Sequence, residues 1–315
     1  MNNTIILQLI KYINYDDFIN MLKINKRTRS ILLNNIEYCD NEIIDQKCNE
    51  TYKIIKIDNQ IKKICDSCFE NSNLKNVDLC NVAILGKDCF RNSCKLKNIN
   101  LHYVVSIDDS CFENCHKLKN VDLDSIINIP NNCFAKCYNL KTILLSNNTQ
   151  SIGDQAFYYC KKLESIDIPQ NMIMMGSRCF ESCSNLKKIT IPKCILLKGC
   201  FMNCENLEEA NISASIIPND CFMNCVKLNK LVILNVEVIG ENAFYKCRNL
   251  KIINSNVKIL LNSCFAHCHK LETIILPNVQ IISKYSFMNC YSLNNINIPK
   301  NVALDDAFYG CNQDY

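Results

Sequence analysis

Short blocks in which apolar and polar residues alternate recur along most of the chain at nearly constant spacing. A leucine opens each block, and apolar residues follow three and five positions later, as in Val121 and Leu123. A period of two predicts a short strand with one buried face. Proline ends four of these strands: Pro169, Pro192, Pro277 and Pro299. A second apolar pair then follows, for example Val238 and Ile239, and predicts an extended return.

A phenylalanine, here called the marker, lies six residues before nearly every one of these leucines. The markers are 21 to 23 residues apart: Phe69, Phe90, Phe112, Phe134, Phe157, Phe180, Phe201, Phe222, Phe244, Phe265, Phe287 and Phe308. Such an internal repeat predicts a solenoid, since one coil alone cannot bury both of its faces but stacked coils share a continuous core. Each unit is expected to contain a strand, a turn, an extended return and a short helical turn that carries the marker.

The repeat resembles the leucine-rich repeat of the BspA-like family, whose unit runs through a strand, an "IG" return and "AFxxCxxL". The segments "SIGDQAFYYCKKLESIDIP" (151–169) and "VIGENAFYKCRNLKII" (238–253) carry the resemblance. It implies a right-handed leucine-rich-repeat solenoid of about twelve repeats over residues 51–315, with parallel strands on the concave face and short helical turns opposite. It also implies binding to other macromolecules rather than catalysis.

Paired cysteines flank many markers, as in "CFENC" at residues 111–115. The position before the marker is cysteine in eight units, alanine in three and serine in one. The third position after the marker is cysteine in ten units and serine in two, Ser72 and Ser93. These residues share small size, so we interpret them as core packing and expect no metal or cofactor. Disulfides and a zinc site of four thiolates remain alternatives.

Residues 1–45 do not repeat. Ile6, Leu9, Ile10 and Ile13 have helical spacing and predict an α-helical cap for the first coil. The stretch "ILQLIKYINYDDFINMLKINKRTRSIL" also resembles a degenerate F-box, although the opening Leu-Pro and the tryptophan of that motif are absent. That resemblance implies that residues 5–33 dock onto a Skp-type adaptor of a ubiquitin ligase.

The net charge and the lack of targeting signals indicate which partners and cellular locations to expect. The net charge is only +4, from 35 basic and 31 acidic residues, so we expect no nucleic-acid partner. No secretory signal or membrane span is predicted, which favours the cytoplasm, with the cell surface possible through unconventional export. The four histidines, His102, His116, His267 and His269, form no catalytic grouping and are expected to be exposed. The sequence therefore predicts a protein that is not an enzyme.

The exposed side of the predicted strands is the expected binding surface, because solenoids usually bind partners on that face. Its candidate residues are Asp122, Asp167, Lys188, Glu209, Lys230, Val232, Ile252 and Ile275. We predict a non-catalytic scaffold that binds a protein partner there, with an F-box-type substrate receptor and a cell-surface BspA-like adhesin as alternatives. The segment "DDAFYGCNQDY" ends within a repeat, so self-association through the last coil is also expected.

Overall fold

A computed structural model describes residues 36–38, 54–57 and 62–312. In chain order, the strands are β1 (Ile36–Tyr38), β2 (Ile54–Ile57), β3 (Lys63–Ile64), β4 (Asn76–Asp78), β5 (Ile84–Leu85), β6 (Asn98–Ile99), β7 (Ser106–Ile107), β8 (Asn120–Leu123), β9 (Asn128–Ile129), β10 (Thr142–Leu145), β11 (Ser151–Ile152), β12 (Met174–Met175), β13 (Lys188–Ile191), β14 (Ile195–Leu196), β15 (Glu209–Ile212), β16 (Ile216–Ile217), β17 (Lys230–Ile233), β18 (Val238–Ile239), β19 (Ile252–Asn254), β20 (Ile259–Leu260), β21 (Thr273–Ile275), β22 (Ile281–Ile282) and β23 (Asn295–Asn297).

Most coils contribute one strand to each of two parallel stacks. The front strands are β2, β4, β6, β8, β10, β13, β15, β17, β19, β21 and β23, and the return strands are β3, β5, β7, β9, β11, β12, β14, β16, β18, β20 and β22. Where one coil has no front strand, Ser165 still forms a parallel bridge to Thr142. Strand β1 pairs antiparallel with β2 at the first coil. The predicted solenoid of parallel strands is confirmed.

The marker segments are tight turns, and no helix occurs in the described residues. The residues two before and two after each marker have positive φ, for example Ser110 at 55° and Asn114 at 61°. A right-handed helix requires negative φ throughout, so these residues interrupt it. The amide of Phe112 instead donates to the carbonyl of Cys133 in the next coil at 2.8 Å. The prediction of short helical turns was therefore wrong. The predicted helical cap lies outside the described residues, apart from strand β1.

The markers form one continuous stack of aromatic rings through the core. Successive rings from Phe69 to Phe308 are stacked with centroids 5.0–5.6 Å apart. The leucines and inward-facing strand residues are buried around this stack. Stacking of neighbouring rings adds aromatic contact energy to the burial of each ring. The marker ring is the largest buried side chain of each coil, and it is therefore buried by contact with the rings of the adjacent coils.

The cysteines three positions after the markers, here called the thiol column, have a role beyond packing. The thiol of Cys137 donates to the carbonyl of Phe112 in the preceding coil at 3.2 Å. The same bond recurs along the column, and Ser93 forms it to Phe69 at 2.7 Å. Serine and cysteine are both small donors. This position therefore selects a hydrogen-bond donor as well as small size.

The position before the marker follows a different rule. Cys133 and Cys221 are fully buried there, and Ala156 and Ala243 fill the same position in other coils. Alanine has no donor, so the common requirement is small size, as the sequence predicted. Burial raises the pKa of Cys133 and Cys221 well above the ordinary thiol value. Thiols that burial keeps protonated, such as these two, are poor nucleophiles and poor metal ligands.

Candidate functional site

The candidate surface is the solvent-facing side of the front strands. In β8, Val121 and Leu123 point into the core, whereas Asn120 and Asp122 are exposed. The strands pair in register, so each exposed residue is a neighbour of the equivalent residue in the next coil. The predicted alternation thus places seven of the eight candidate residues on one face of the front strands, and Asp167 lies at the equivalent position of the coil that has no front strand. Glu209 and Ile275 are half-buried and the others are exposed.

Lys188, Glu209 and Lys230 form one row across three consecutive strands. Glu209 pairs in register with both lysines, and its carboxylate accepts a hydrogen bond from Lys188 at 3.0 Å. That hydrogen bond, the charge of Lys188 and the weaker effect of Lys230 lower the pKa of Glu209. The row therefore presents a carboxylate between two ammonium groups at neutral pH.

Three apolar side chains lie beside this row. Val232 and Ile252 are 45% and 55% exposed, and Ile275 is half-buried. Ile275 pairs with Asn254 on one side and Asn297 on the other, so it has no apolar neighbour in register. The structure thus brings Val232 and Ile252 close to the charged row and leaves Ile275 at its margin. Leu144, at 59% exposure, is a further exposed aliphatic side chain on this face.

The aspartates lie in the earlier coils. Asp122 pairs in register with Leu144, and its side chain accepts a hydrogen bond from the amide of Asp124 at 3.1 Å. Asp167 is also exposed. Two coil steps separate these carboxylates, or about 10 Å. They therefore make separate contributions to an acidic surface.

The histidines do not all have the expected exposure. His116 stacks on Tyr138 with centroids 4.8 Å apart, and the rings of His267 and His269 are 5.9 Å apart. These three side chains are half-buried, and burial lowers their pKa values. His102 is exposed, with Nδ1 3.9 Å from a carboxylate oxygen of Asp124. In the described part of the chain, no cluster of histidine, cysteine and acidic side chains could hold a metal ion.

A second surface, on the return strands, was missed by the sequence reasoning. From β12 onwards the outward position of each return strand is apolar, and these residues are in register from β12 to β14 and from β16 to β22. Ile195, Ile216 and Ile281 are 59%, 52% and 50% exposed. In the earlier coils this position is polar in Ser106, Asn128 and Ser151, although Ile84 is apolar and 39% exposed there. The signal was present in the sequence as the unbroken series of apolar pairs after residue 173: "MM", "IL", "II", "VI", "IL" and "II".

Comparison with known proteins agrees with this architecture. A family model described as "BspA type Leucine rich repeat region (6 copies)" matches residues 1–119, 42–143, 127–251 and 215–314. No curated protein matches the sequence. Among residues 36–38, 54–57 and 62–312, the chain forms no helix with the length and apolar character needed to cross a bilayer.

The first of three similar solved structures shows the same fold. A leucine-rich repeat protein from Bacteroides ovatus ATCC 8483 is 25% identical, with a TM-score of 0.58, and the match covers 79% of each chain. A leucine rich cell surface protein from Faecalibacterium prausnitzii A2-165 is 22% identical, with a TM-score of 0.47 and 81% of each chain covered. The T. pallidum leucine rich repeat protein is 19% identical, with a TM-score of 0.44, and the match covers 70% of this chain and 84% of that one.

Proposed function

Since the chain belongs to the BspA-type leucine-rich-repeat family, we propose that it is a non-catalytic scaffold that binds a protein partner on its front strands. The row of Lys188, Glu209 and Lys230 next to exposed Val232 and Ile252 carries this proposal. Charged residues beside desolvatable aliphatic side chains are typical of a protein interface, with the aliphatic groups as anchors and the charges fixing orientation.

The fold supports a binding role for this row. Its backbone belongs to the parallel ladder of β13, β15 and β17, so the side chains are presented from regular strands rather than from loops. Lys188 and Glu209 already hold each other at 3.0 Å, which limits the rotamer entropy that binding would remove. Two exposed aliphatic side chains alone would be unremarkable on a protein surface. The position of Val232 and Ile252 beside an ordered charged row distinguishes them from isolated aliphatic residues on a protein surface.

Affinity capture with matched variants tests the proposal. The front variant combines Lys188→Glu and Glu209→Lys with Val232→Ser and Ile252→Ser, and the control variant combines Ile195→Ser with Ile216→Ser on the return strands. We expect the proteins captured by the wild type to be lost from the front variant and retained by the control. Equal capture by all three folded proteins would contradict the assignment of the binding surface. Circular dichroism and urea titration establish that each variant is folded.

The F-box-type alternative depends on residues 5–33, which lie outside the described residues. Deletion of residues 1–35 would abolish co-purification of a Skp-type adaptor if that function is present. The adhesin alternative predicts surface exposure on intact cells and oxidised cysteines. Labelling of intact cells with an impermeant reagent would distinguish it from a cytoplasmic scaffold.

A further inference from the structure

A row of four lysines lies along the edge where each coil enters its front strand. We name the residue immediately before each front strand the pre-strand column. In the first coils this column consists only of lysine: Lys75, Lys97, Lys119 and Lys141. The amide of Lys97 donates to the carbonyl of Lys75 at 2.8 Å, and that of Lys141 donates to Lys119 at 2.7 Å. The four side chains therefore belong to stacked, adjacent coils.

Stacking equal charges at this distance opposes folding. Adjacent strands are about 4.8 Å apart, and like charges directly opposite each other destabilise a sheet. Among the described residues, only Lys141 of the four forms an ion pair, with Glu164 at 3.8 Å. Lys95, Lys117 and Lys162, each two residues before a pre-strand residue, are also exposed. The arrangement concentrates cations although the whole chain is nearly balanced.

The later coils avoid this repulsion at the same position. Their pre-strand residues mix signs: Glu164, Lys187, Glu208, Asn229, Lys251, Glu272 and Asn294. Backbone hydrogen bonds join Glu208 to Lys187 at 2.8 Å and Glu272 to Lys251 at 2.8 Å, so opposite charges are neighbours there. The repeat can thus accommodate alternating signs, and the lysine row is a departure from that arrangement.

We propose that the lysine row binds an acidic segment of a partner protein, presented as a helix with one carboxylate-bearing face. Successive turns of a helix are about 5.4 Å apart, close to the spacing of about 4.8 Å between coils. Four lysines span about 14 Å, so the mismatch is within the reach of flexible side chains. This inference rests on the proposed protein-binding function but uses a different edge of the coils.

Features of the same edge favour a peptide over a nucleic acid. The row contains no arginine, the residue best suited to bidentate phosphate recognition. The nearby rings of His116 and Tyr138 are half-buried and stacked on each other, so they offer little free aromatic surface to bases. Exposed Asp78 and Asp122 lie on the adjacent front strands and would repel a long polyanion. A short acidic helix can follow the edge without covering them.

Two single substitutions separate binding from stability. Lys119→Glu places a carboxylate between Lys97 and Lys141, so that charge signs alternate from Lys97 to Glu164. We therefore expect a higher urea midpoint together with about tenfold weaker peptide binding. The matched control is Lys251→Glu, which places the new glutamate next to Glu272. We expect this variant to have a lower urea midpoint and unchanged peptide binding.

The binding probe is a glutamate-rich helical peptide of about 15 residues, which spans about 22 Å. Fluorescence anisotropy on the full chain should show binding that weakens as salt rises, and no binding to the matched glutamine peptide. Equal loss of binding in Lys119→Glu and Lys251→Glu, or no peptide binding by the wild type, would overturn the proposal. If oligothymidylate, a sulfated polysaccharide or anionic vesicles bind more tightly than the acidic peptide, and Lys119→Glu loses that binding, the ligand of the lysine row is that polyanion and the proposal of an acidic helix is overturned.

The front variant should still bind the peptide, so failure of this test leaves the front-strand proposal standing.

Discussion

The coils around Phe112 and Phe134 and those around Phe201 and Phe222 have the same interior and different surfaces. Both pairs stack their rings, at 5.2 and 5.3 Å, and both bury thiols that donate to the preceding coil. Outside, the earlier coils have a lysine row and polar return strands, whereas the later coils have mixed charges and an aliphatic return surface. The shared interior therefore determines the fold, and the exposed positions that differ between the two pairs of coils are the candidates for binding.

We expect the largest change in stability when one aromatic ring is removed from each half of the solenoid, which tests whether the interior is common to both. Phe134→Ala and Phe222→Ala should each lower the free energy of unfolding by about 3–5 kcal/mol, because each leaves a cavity in the ring stack. Urea titration measures both losses. Since the two rings have equivalent neighbours, the two losses should agree within about 1 kcal/mol. A loss of stability in only one of the two variants would contradict a common interior.

A smaller effect tests the thiol column in both halves. Cys137→Ala and Cys225→Ala should each cost about 1–2 kcal/mol, since each removes a donor to a buried carbonyl. Cys137→Ser should recover part of that loss because serine keeps the donor. Cys133→Ala is the control, because alanine already occupies the equivalent position at Ala156. Chemical denaturation that shows equal losses for Cys133→Ala and Cys137→Ala would contradict the donor role.

The repeat itself could be predicted from sequence, because its period, leucines and markers are fixed by burial. The turn conformation could not be predicted from apolar spacing, since that spacing does not report the sign of φ. Asparagine at positions such as Asn71, Asn92 and Asn114 was the available signal, because asparagine tolerates positive φ. Comparison of repeats at the thiol column identified small size but missed the donor that cysteine and serine share.

The surface was predictable only in part. Alternation in the strands placed the candidate residues on one face, because burial fixes the register of each coil. Contacts between coils were not predicted, so the ion pair of Lys188 with Glu209 and the separation of Ile275 from Val232 emerged from the structure. The lysine row was also missed, since residues 22 apart in sequence become neighbours only when the coils stack.

The difference between the pre-strand residues of the two halves should appear as opposite effects on stability. Lys119→Glu should raise the free energy of unfolding by about 0.2–1 kcal/mol, and Glu208→Lys should lower it by a similar amount. Both effects should shrink in about 1 M salt, because the residues are exposed or near the surface. Urea titration at low and high salt measures them. The same sign for both variants would show that the pre-strand charges of neighbouring coils do not interact.

The smallest effect concerns the ionisation of Glu209. Because Lys188 lowers its pKa in the folded protein, this carboxylate contributes stability above its unfolded pKa and loses that contribution as pH falls through the folded pKa. Lys188→Ala should therefore raise the pKa of Glu209 toward the ordinary glutamate value. Carboxyl chemical shifts followed by NMR across acidic pH measure the change. An unchanged pKa would show that the pair does not form in solution.

Site-resolved thiol labelling tests the common interior most directly. We predict that Cys115, Cys137, Cys225 and Cys247 are reduced and react with an alkylating reagent only when the chain unfolds. Burial raises their pKa values, and each thiol donates a hydrogen bond to a carbonyl of the preceding coil. Mass spectrometry should show equal protection in the early and late coils. Rapid labelling, disulfides or metal-dependent protection at one set of these thiols would contradict a shared, purely structural interior.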